Sequence, residues 1–385
     1  MSYSVRDYAS MFGDRVRVDA FLAAMARAVT PGSTVLDLGT GTGFFAVAAC
    51  RMGARHVYGI ETNDAIQLAR ELAVANGCAD RCTFVHESSL RVSLPEPADV
   101  LVFDLRGALP LLSRAIPSII DARTRLLKAG GTMIPRRDII SVVPVESEEA
   151  YRRHRAPWGE LHRDLDLGPV ERVLVNAWGK HRVPRAGFLA EPVEWATLDY
   201  RTVEGPDLTG TMTFIVTRAG TGHGLQLWFD ADLADGIGFS TAPMAPEAIY
   251  GTAFFPFADP ITFGVGDEIT VRIDAHLIGD DYVWRWRTRV LPIDRRRAHP
   301  AFDQSSFFAT PVPPEQLARR ASSHRPQLGE DGQIAHFVLG RLGEGIVLHE
   351  IAEELTVRWP ARFRVAGEAL VQVGELSAKY GRSRP

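Results

Sequence analysis

Apolar residues follow two alternating patterns between about residue 19 and residue 145. Short apolar runs that are typical of buried strands alternate with segments of helical periodicity. The predicted strands are residues 34–38, 56–60, 82–86, 100–104, 131–134 and 139–145, and the predicted helices include residues 65–76, ending at Gly77, and 117–127, ending at Gly130–Gly131. Strands that alternate with helices form a parallel sheet with helices on both faces. We therefore predict an α/β domain over residues 1–145.

The pattern changes after Pro144. Short stretches with alternating apolar and polar residues follow, separated by glycine and proline; examples are residues 212–217, 224–228, 269–275 and 282–290. This pattern predicts an antiparallel, barrel-like β domain over residues 146–298. Residues 151–184 are charged, contain tryptophan and follow neither periodicity, so we expect an arm that packs against another surface.

The last part of the chain is helical again. Apolar residues share a face in three groups, which are Ile334, Phe337, Val338 and Leu342, then Leu348, Ile351 and Leu355, then Leu370, Val373 and Leu376. Gly343–Gly345 and Trp359–Pro360 separate the groups, so residues 315–385 are predicted to form a helix-turn-helix-like module. From Glu315 onward the charges nearly balance, with ten Lys/Arg against nine Asp/Glu. A nucleic-acid reader would be more basic, and a peptide- or protein-contacting role is favoured.

Composition narrows the class of protein further. Of 385 residues, 46% are apolar and 23% charged, and the net charge is −4, so nothing favours binding to bulk nucleic acid or an anionic membrane. No apolar run approaches the ~20 residues that span a bilayer. Three cysteines make neither a disulfide framework nor a zinc site, and the histidines have no ligand spacing, so we predict no metal. We expect a cytoplasmic protein.

A glycine-rich turn carries the most specific chemistry. The first apolar strand ends at Asp37-Leu-Gly39-Thr-Gly41-Thr-Gly43, and a helical run of small and apolar residues follows. Such a strand-turn-helix lets a ligand approach the backbone closely, because glycine has no Cβ. Glu61 ends the next strand, where a carboxylate can hold both ribose hydroxyls.

Two cofactors use a turn of this kind. The dinucleotide pattern Gly-x-Gly-x-x-Gly places its third glycine one residue later than Gly43 does here. The carboxylate of Asp37 would repel a diphosphate, whereas it suits the ammonium of S-adenosylmethionine. We therefore predict S-adenosylmethionine, with Asp37, Gly39, Gly41 and Glu61 as contacts. A nicotinamide oxidoreductase is the alternative.

Together the glycine turn, the β domain and the arm resemble the protein arginine methyltransferase family over about the first 295 residues. Tyr8-Ala-Ser-Met11 through Arg17 is similar to the family's N-terminal helix, which folds over the donor. The resemblance implies a Rossmann-like class I methyltransferase domain in which Tyr8 and Met11 cover the sulfonium and Arg17 pairs with the donor carboxylate. Ser88 and Ser89 follow the third strand, where this fold contacts adenine.

The β domain carries further points of resemblance. Ser240–Pro243, Phe254–Phe257 and Gly266–Ile269 match its family counterparts. The segment 151–184 corresponds to the family's dimerisation arm, which implies a homodimer.

The acceptor motifs depart from the family. Its hairpin has two glutamates nine residues apart, but here the matching positions carry Asp104 and Ser113. Its Thr-His-Trp loop falls on Ala248-Ile-Tyr250, so the histidine is absent. A guanidinium stays protonated and needs carboxylates to hold it, whereas an amine, with a pKa of ~10.4, becomes a nucleophile once deprotonated. A single aspartate suits an amine or a hydroxyl better than a guanidine.

Asp104 is the catalytic candidate, as a carboxylate that orients the acceptor or as a general base. Tyr250 is predicted to place its hydroxyl near the transferred methyl. One of Arg106 and Arg114 is a candidate clamp for a substrate carboxylate. The carboxylate of the family's second glutamate is missing here, and the candidates to replace it are acidic residues further along the chain, Glu146, Glu148 and Glu149.

Ile351-Ala-Glu-Glu-Leu355 and the helix that follows Arg362-Phe363 also resemble, over about fifty residues and without a diagnostic motif, the small winged-helix modules that hold leader peptides. These observations predict a methyltransferase that acts on an amine nitrogen of a peptide or of a small amine. The resemblance of the last helices implies a place within peptide natural-product biosynthesis. Arginine methylation with an altered hairpin is one alternative, and a catalytically idle S-adenosylmethionine-binding scaffold is another.

Overall fold

The computed structural model describes residues 3–155 and 165–381. The helices are α1 Val5–Gly13, α2 Arg15–Ala28, α3 Phe44–Arg51, α4 Ile66–Ala75, α5 Ala115–Asp121, α6 Glu148–Arg155, α7 Gly168–Leu174, α8 Pro314–Arg319, α9 Glu330–Gly343, α10 Leu348–Arg358 and α11 Ala366–Tyr380. None of the helices in these ranges is long and apolar enough to cross a membrane.

Parallel pairing builds the first sheet, in the order β3-β2-β1-β4-β5. Its strands are β1 Thr34–Leu38, β2 His56–Glu61, β3 Cys82–His86, β4 Ala98–Phe103 and β5 Leu127–Ile134. Every residue of β1 is buried, as expected for a central strand covered on both faces. The predicted α/β fold class is confirmed.

One predicted helix end is wrong. The helix expected over 117–127 ends earlier: α5 stops at Asp121, and a π-helical turn, Ala122–Leu126, leads directly into β5. Gly130 and Gly131 therefore lie inside β5 rather than after a helix. Gly130 has a φ of 75°, which glycine adopts without strain, and the pairing of β5 with β4 shifts register between Ala98 and Val100.

The strands that follow are antiparallel and form two further sheets. One has the order β7-β12-β10-β6-β8, with β11 on β10, and the other has the order β15-β14-β13-β9. Their bounds are β6 Arg137–Val145, β7 Gly179–Lys180, β8 Val193–Asp199, β9 Leu208–Ile215, β10 Gly220–Ala234, β11 Ile237–Ser240, β12 Ala253–Phe263, β13 Glu268–Ile278, β14 Asp281–Leu291 and β15 Ala301–Ser305. Aromatic side chains join the sheets, since the Phe255 ring packs at 5.3 Å from that of Trp284 and 5.1 Å from that of Trp286.

Strand β6 is hydrogen-bonded to β10 and β8, although the range predicted for the first domain includes it. Both sheet systems share one hydrophobic core and lie in one compact unit, Met1–Pro311. The predicted domain ranges stay predictions. In the predicted arm, α6, α7 and β7 are described, and residues 156–164 lie outside the described residues.

Residues Val312–Pro385 form the second compact unit. Helices α9, α10 and α11 enclose a core of their own, whose buried members are Ile334, Val338, Ile351, Ala352, Leu355, Phe363, Ala369 and Val373. Leu370 was predicted to share this face, but its side chain is 41% exposed, and Ala369 is buried in its place. No strand occurs in the described part of this unit, 312–381, so the hairpin of a winged helix is not found there.

The separate core of the second unit gives a stability prediction. Replacing Ile351, which is fully buried, with alanine should lower the free energy of unfolding of this unit by about 2–5 kcal/mol. The substitution would leave a cavity whose surrounding side chains lose their contacts with Ile351. Val357→Ala, at a position 83% exposed on the same helix, should change stability by less than about 0.5 kcal/mol. Hydrogen exchange of the amides in α9–α11 measures both, and equal protection in the two variants would contradict this packing.

Candidate active site

A cavity of about 660 Å³ lies at the carboxyl ends of the parallel strands. Its floor is formed by residues that end or follow β1, β2, β3 and β4, and α1 and the segment before β12 contribute the other walls. The lining includes Tyr8, Met11, Arg17, Gly39, Glu61, Ser88, Ser89, Asp104, Ser113, Arg114, Lys180 and Tyr250. This edge of an open α/β sheet is where ligands bind in such folds, and the volume is in the usual range of ~300–1,000 Å³.

The glycine turn has the conformation that the sequence predicts. Gly39, Gly41 and Gly43 have φ values of 76°, 54° and 82°, a region that other residues rarely adopt. A Cβ at Gly41 would lie 2.6 Å from the ring of Tyr8, and a Cβ at Gly39 would lie 2.5 Å from the Leu105 side chain. The turn therefore needs glycine because of its backbone conformation and because the side chains of Tyr8 and Leu105 leave no room for a Cβ.

Glu61 ends β2 and lines the cavity. Its carboxylate accepts hydrogen bonds from the backbone N–H of Gly41 at 2.9 Å, of Thr62 at 2.8 Å and of Asn63 at 2.9 Å. These contacts fix the carboxylate against the glycine turn, at the end of β2. Its predicted bond to the ribose hydroxyls stays a prediction.

Asp37 lies beneath the turn and does not line the cavity. Its carboxylate accepts from the Thr40 hydroxyl at 2.6 Å and from the backbone N–H of Ala46. Burial raises the pKa of Asp37 to about 7, although both hydrogen bonds oppose the shift. The structure thus joins Asp37 to the start of α3, and its predicted contact with a donor ammonium stays a prediction.

Helix α1 covers the turn. Ser4 caps it, since its side chain accepts from the Asp7 backbone N–H while Asp7 accepts from the Ser4 backbone. Tyr8 is buried, and Met11 lies one turn further on; both face the cavity, as the resemblance implies. Tyr3, which sequence reasoning missed, packs edge-on against Tyr8 with ring centroids 5.9 Å apart.

Asp104 lies at the centre of a buried polar cluster. Its Oδ2 accepts from Arg17, and its Oδ1 accepts from Arg106 Nη1 at 3.0 Å and from the Tyr250 hydroxyl at 2.5 Å. Burial favours the neutral acid and raises the pKa of Asp104. The charges of Arg17 and Arg106 and the hydrogen bond from Tyr250 together outweigh burial, so the pKa of Asp104 lies below its usual value. The two catalytic candidates, Asp104 and Tyr250, are therefore in direct contact.

Arg106 is not available as a substrate clamp. Its Nε and Nη2 donate to the two carboxylate oxygens of Asp138 at 2.7 and 2.9 Å, and the Tyr200 hydroxyl also donates to Asp138 at 2.5 Å. Arg106 and Asp138 are both almost fully buried. This bidentate pair holds the guanidinium so that only Nη1 reaches Asp104.

The Tyr250 ring is held by aromatic packing. It stacks on Phe239 with an interplanar angle of 4° and meets Phe229 edge-on, with centroids 5.9 and 5.2 Å away. Burial, and then the neighbouring Asp104 charge, raise the pKa of Tyr250 well above 10, so its hydroxyl stays a proton donor. Tyrosine at this position thus supplies a fixed hydrogen bond to Asp104.

The position that matches the family's second glutamate has an unusual backbone conformation. Ser113 has a φ of 43°, the only positive value among non-glycine residues in the part of the chain that is described. Such a backbone costs of order 1–3 kcal/mol and persists only where the surroundings impose it. Arg114 follows and lines the cavity.

Glu146 does not supply the missing carboxylate. It accepts from Arg218 at 2.5 Å and from the Thr221 backbone N–H at 2.7 Å, and neither Glu146 nor the neighbouring Glu148 and Glu149 lines the cavity. Sequence reasoning also missed three charged cavity residues, Asp7, Glu87 and Lys180. Glu87 directly precedes the predicted Ser88–Ser89 pair, so its position was a signal; Lys180 lies in the arm and gave none.

Two families match consecutive parts of the chain. The Ribosomal protein L11 methyltransferase (PrmA) family matches residues 19–137, and the Arginine methyltransferase oligomerization subdomain matches residues 137–287. The division at residue 137 coincides with the start of β6. Together the matches extend over the parallel sheet and most of the antiparallel strands.

Similar curated proteins are arginine methyltransferases. Protein arginine N-methyltransferase 2 of Mus musculus is 30% identical over 250 residues, which is 61% of this chain and 56% of that protein. Arginine N(omega)-methyltransferase of Streptomyces achromogenes subsp. streptozoticus is 27% identical over 274 residues, 69% of this chain and 74% of that protein. The chain spans only 54% to 60% of the length of the first four relatives.

Solved structures agree on the fold. Protein arginine methyltransferase 10 of Arabidopsis thaliana gives a TM-score of 0.68 at 22% identity, covering 78% of this chain and 97% of that one. The Trypanosoma brucei PRMT1 enzyme–prozyme complex with AdoHcy gives 0.71 at 20% identity, covering 77% and 97%. The fold and the site define a class I S-adenosylmethionine-dependent methyltransferase architecture. Within that class the chain is similar to the protein arginine methyltransferases.

S-adenosylmethionine is the cofactor of this class, and the described residues fit it. The glycine turn leaves room that a Cβ would fill, and Glu61 faces the same cavity as the serines after β3. When bound, the cofactor supplies a methyl group on a positively charged sulfur. No group of three or more His, Cys, Asp or Glu among residues 3–155 and 165–381 is arranged to hold a metal ion.

The close approach of Tyr8 to the glycine turn gives a prediction about the donor. Gly41→Ala should weaken binding of S-adenosylmethionine at least about tenfold, because the new Cβ would displace the Tyr8 ring and strain the backbone. Gly236→Ala is the matched control, since Gly236 also has a positive φ, 69°, but open space around its Cβ. Calorimetric titration measures both, and equal weakening by the two variants would refute the role of the Tyr8 contact.

The raised pKa of Asp37 gives a pH prediction. An unfolded aspartate has a pKa of ~3.9, so between about pH 4 and pH 7 only the folded protein keeps this proton. Asp37 therefore makes the free energy of unfolding fall as pH rises through this range, and then stay level. Asp37→Asn should be more stable relative to wild type at pH 8 than at pH 5, as measured by urea unfolding.

The control for this measurement is Asp80→Asn, because Asp80 is exposed and its side chain has no hydrogen bond or ion pair with the described residues. It should give the same difference from wild type at both pH values. A pH-independent difference for Asp37→Asn would contradict the raised pKa.

Proposed function

We propose that the protein transfers a methyl group from S-adenosylmethionine to an amine nitrogen of a peptide or a small amine. The observation that carries this proposal is the occupancy of Asp104, whose two oxygens already accept from Arg17, Arg106 and Tyr250. Asp104 is the acceptor-facing carboxylate of the cavity, since the position of the second family glutamate carries Ser113.

Counting hydrogen bonds separates an amine from a guanidinium. A carboxylate has about four lone-pair sites, and three of those of Asp104 are in use. One N–H of an amine can take the remaining site. A guanidinium is held best by two parallel bonds from a carboxylate whose charge is not yet compensated, and the charge of Asp104 is already balanced by two arginines.

The reaction needs a neutral nitrogen that is aligned with the methyl group. An amine loses its proton to water when desolvation and nearby cations lower its pKa. Its lone pair then forms the N–C bond while the C–S bond breaks, the electron pair stays on sulfur, and the product ammonium releases a proton to solvent. Asp104 orients the nitrogen by accepting one N–H, and Tyr250 and the arginines hold Asp104 in place.

Arginine methylation is the second candidate, because the similar curated proteins named above are arginine methyltransferases. Arginine methylation would require another residue to supply the carboxylate that the family has at the position of Ser113. A scaffold that binds S-adenosylmethionine without turnover is the third candidate.

The remaining parts of the proposal concern partners. We infer a homodimer, which is supported by the match to the oligomerization subdomain over residues 137–287. We further infer a cytoplasmic location, on the composition, and a role for residues 315–385 in holding a peptide, within peptide natural-product biosynthesis. A solution-scattering mass near twice the chain mass supports the homodimer, and a monomeric mass refutes it.

The test of the reaction uses labelled S-adenosylmethionine with lysine-containing and arginine-rich peptides, and mass spectrometry locates the methyl group. We expect methylation of amines, and efficient formation of methylarginine would contradict the proposal. Donor binding without turnover on any acceptor would favour the idle scaffold.

The role of Tyr250 gives a matched mutational prediction. Tyr250→Phe removes one hydrogen bond from Asp104 without changing charge, and should lower kcat about tenfold or more while leaving donor affinity unchanged. Tyr282→Phe is the control, because its hydroxyl donates to the Pro206 carbonyl outside the cavity. Unchanged kcat in Tyr250→Phe would show that Asp104 needs no such support.

A further inference from the structure

Two cations of the cavity, Arg114 and Lys180, lack a firm carboxylate partner. We propose that they bind a carboxylate of the methyl acceptor, so that the substrate carries an acidic group close to its reactive amine. This inference rests on the proposed function and names the substrate class more narrowly.

Arg114 is held only loosely by the protein. Its guanidinium lies 3.4 Å from the Gly279 carbonyl and 3.9 Å from the Asp280 carboxylate, and the Asp280 side chain is 85% exposed. An exposed ion pair at this distance contributes little energy. The Arg114 side chain is itself half exposed and lines the cavity, so most of its donors are available to a ligand.

Lys180 enters the cavity from the arm. It lies in β7, which pairs with β12 through Ala253. Its Cδ is 3.8 Å from where a Cβ at Gly251 would lie, and Gly251 directly follows Tyr250, whose hydroxyl contacts Asp104. Lys180 is exposed, and its side chain makes no hydrogen bond or ion pair with the described residues.

The four cations that line the cavity, Arg17, Arg106, Arg114 and Lys180, are held differently by the protein. The cavity also contains the carboxylates of Asp7, Glu61 and Glu87, on α1, at the end of β2 and after β3. Around Asp104 the two buried carboxylates, Asp104 and Asp138, are matched by two buried cations. These cations are Arg17 and Arg106.

Arg114 and Lys180 are thus the two cations of the cavity that no buried carboxylate of the described residues holds. Cations that can turn toward a ligand disfavour a cationic guanidinium, attract a carboxylate and lower the pKa of an amine held beside them. The same charges thus bind the acid and favour the neutral nucleophile.

Two attachments would fix the acceptor. The planar guanidinium of Arg114 suits a carboxylate, Lys180 adds a point charge, and Asp104 takes one N–H of the amine. Fixing both ends of a short amino acid, or of an amine next to an acidic side chain, aligns the nitrogen for displacement. The acid can be an α-carboxylate or a neighbouring Asp or Glu of a peptide.

The experiment measures acceptor binding to the full chain loaded with S-adenosylhomocysteine, and turnover with S-adenosylmethionine. In one arm, glycine, β-alanine and γ-aminobutyrate are compared with their amides. In the other, lysine-containing tetrapeptides have glutamate or glutamine beside the lysine. We expect the acidic member of the pairs in at least one arm to bind about tenfold or more tightly, and the arm that responds identifies the source of the carboxylate.

Charge-removing variants test the two residues. Arg114→Gln with Lys180→Gln should abolish the preference for the acidic member while donor affinity stays unchanged. Arg295→Gln, at an exposed position outside the cavity, should keep the preference.

Equal binding of both members in both arms by wild type, or a preference that survives the double variant, would overturn the carboxylate site. Turnover without a preference refutes this inference alone. A preference in binding without turnover refutes the proposed function alone.

Discussion

The acceptor end of the site depends on the contact between Asp104 and its two arginines. Asp138 in β6 fixes Arg106, which donates to Asp104. Arg17 donates to the same carboxylate from α2, so Asp104 joins α2, the end of β4 and β6. Removing one partner from such a buried cluster would leave an uncompensated charge, which lowers the free energy of unfolding by several kcal/mol. The position of Asp104 is thus held by contacts within the protein, and the predicted pairing of Arg17 with the donor carboxylate stays a prediction.

This contact is also the reason that we propose an acceptor other than a guanidinium for a chain with the fold of an arginine methyltransferase. The donor side keeps the glycine turn, the carboxylate after β2 and the covering helix. The acceptor side replaces a negatively charged pair by a neutralised cluster, together with two loosely held cations, Arg114 and Lys180. Methyl transfer needs alignment more than acid–base power, so the fold accommodates such an exchange.

Local sequence patterns predicted much of this architecture. The buried strands around Asp37 and Glu61 were recognisable because central parallel strands are continuous apolar runs, and the turn glycines because no other residue fits. Contacts between distant segments were not predictable in this way. The pairing of Arg106 with Asp138 joins β4 to β6, and the cavity position of Lys180 depends on the arm, so neither follows from spacing along the chain. The end of α5 was missed because β5 pairing outweighed the usual meaning of Gly130–Gly131.

A crystal structure of the ternary complex with S-adenosylhomocysteine and an amine acceptor tests the central claim most directly. The account predicts that one Asp104 oxygen lies within about 3.2 Å of the acceptor nitrogen while Arg106 and Tyr250 keep their bonds to the same carboxylate. An acceptor held by other carboxylates, with Asp104 turned away from its nitrogen, would contradict it.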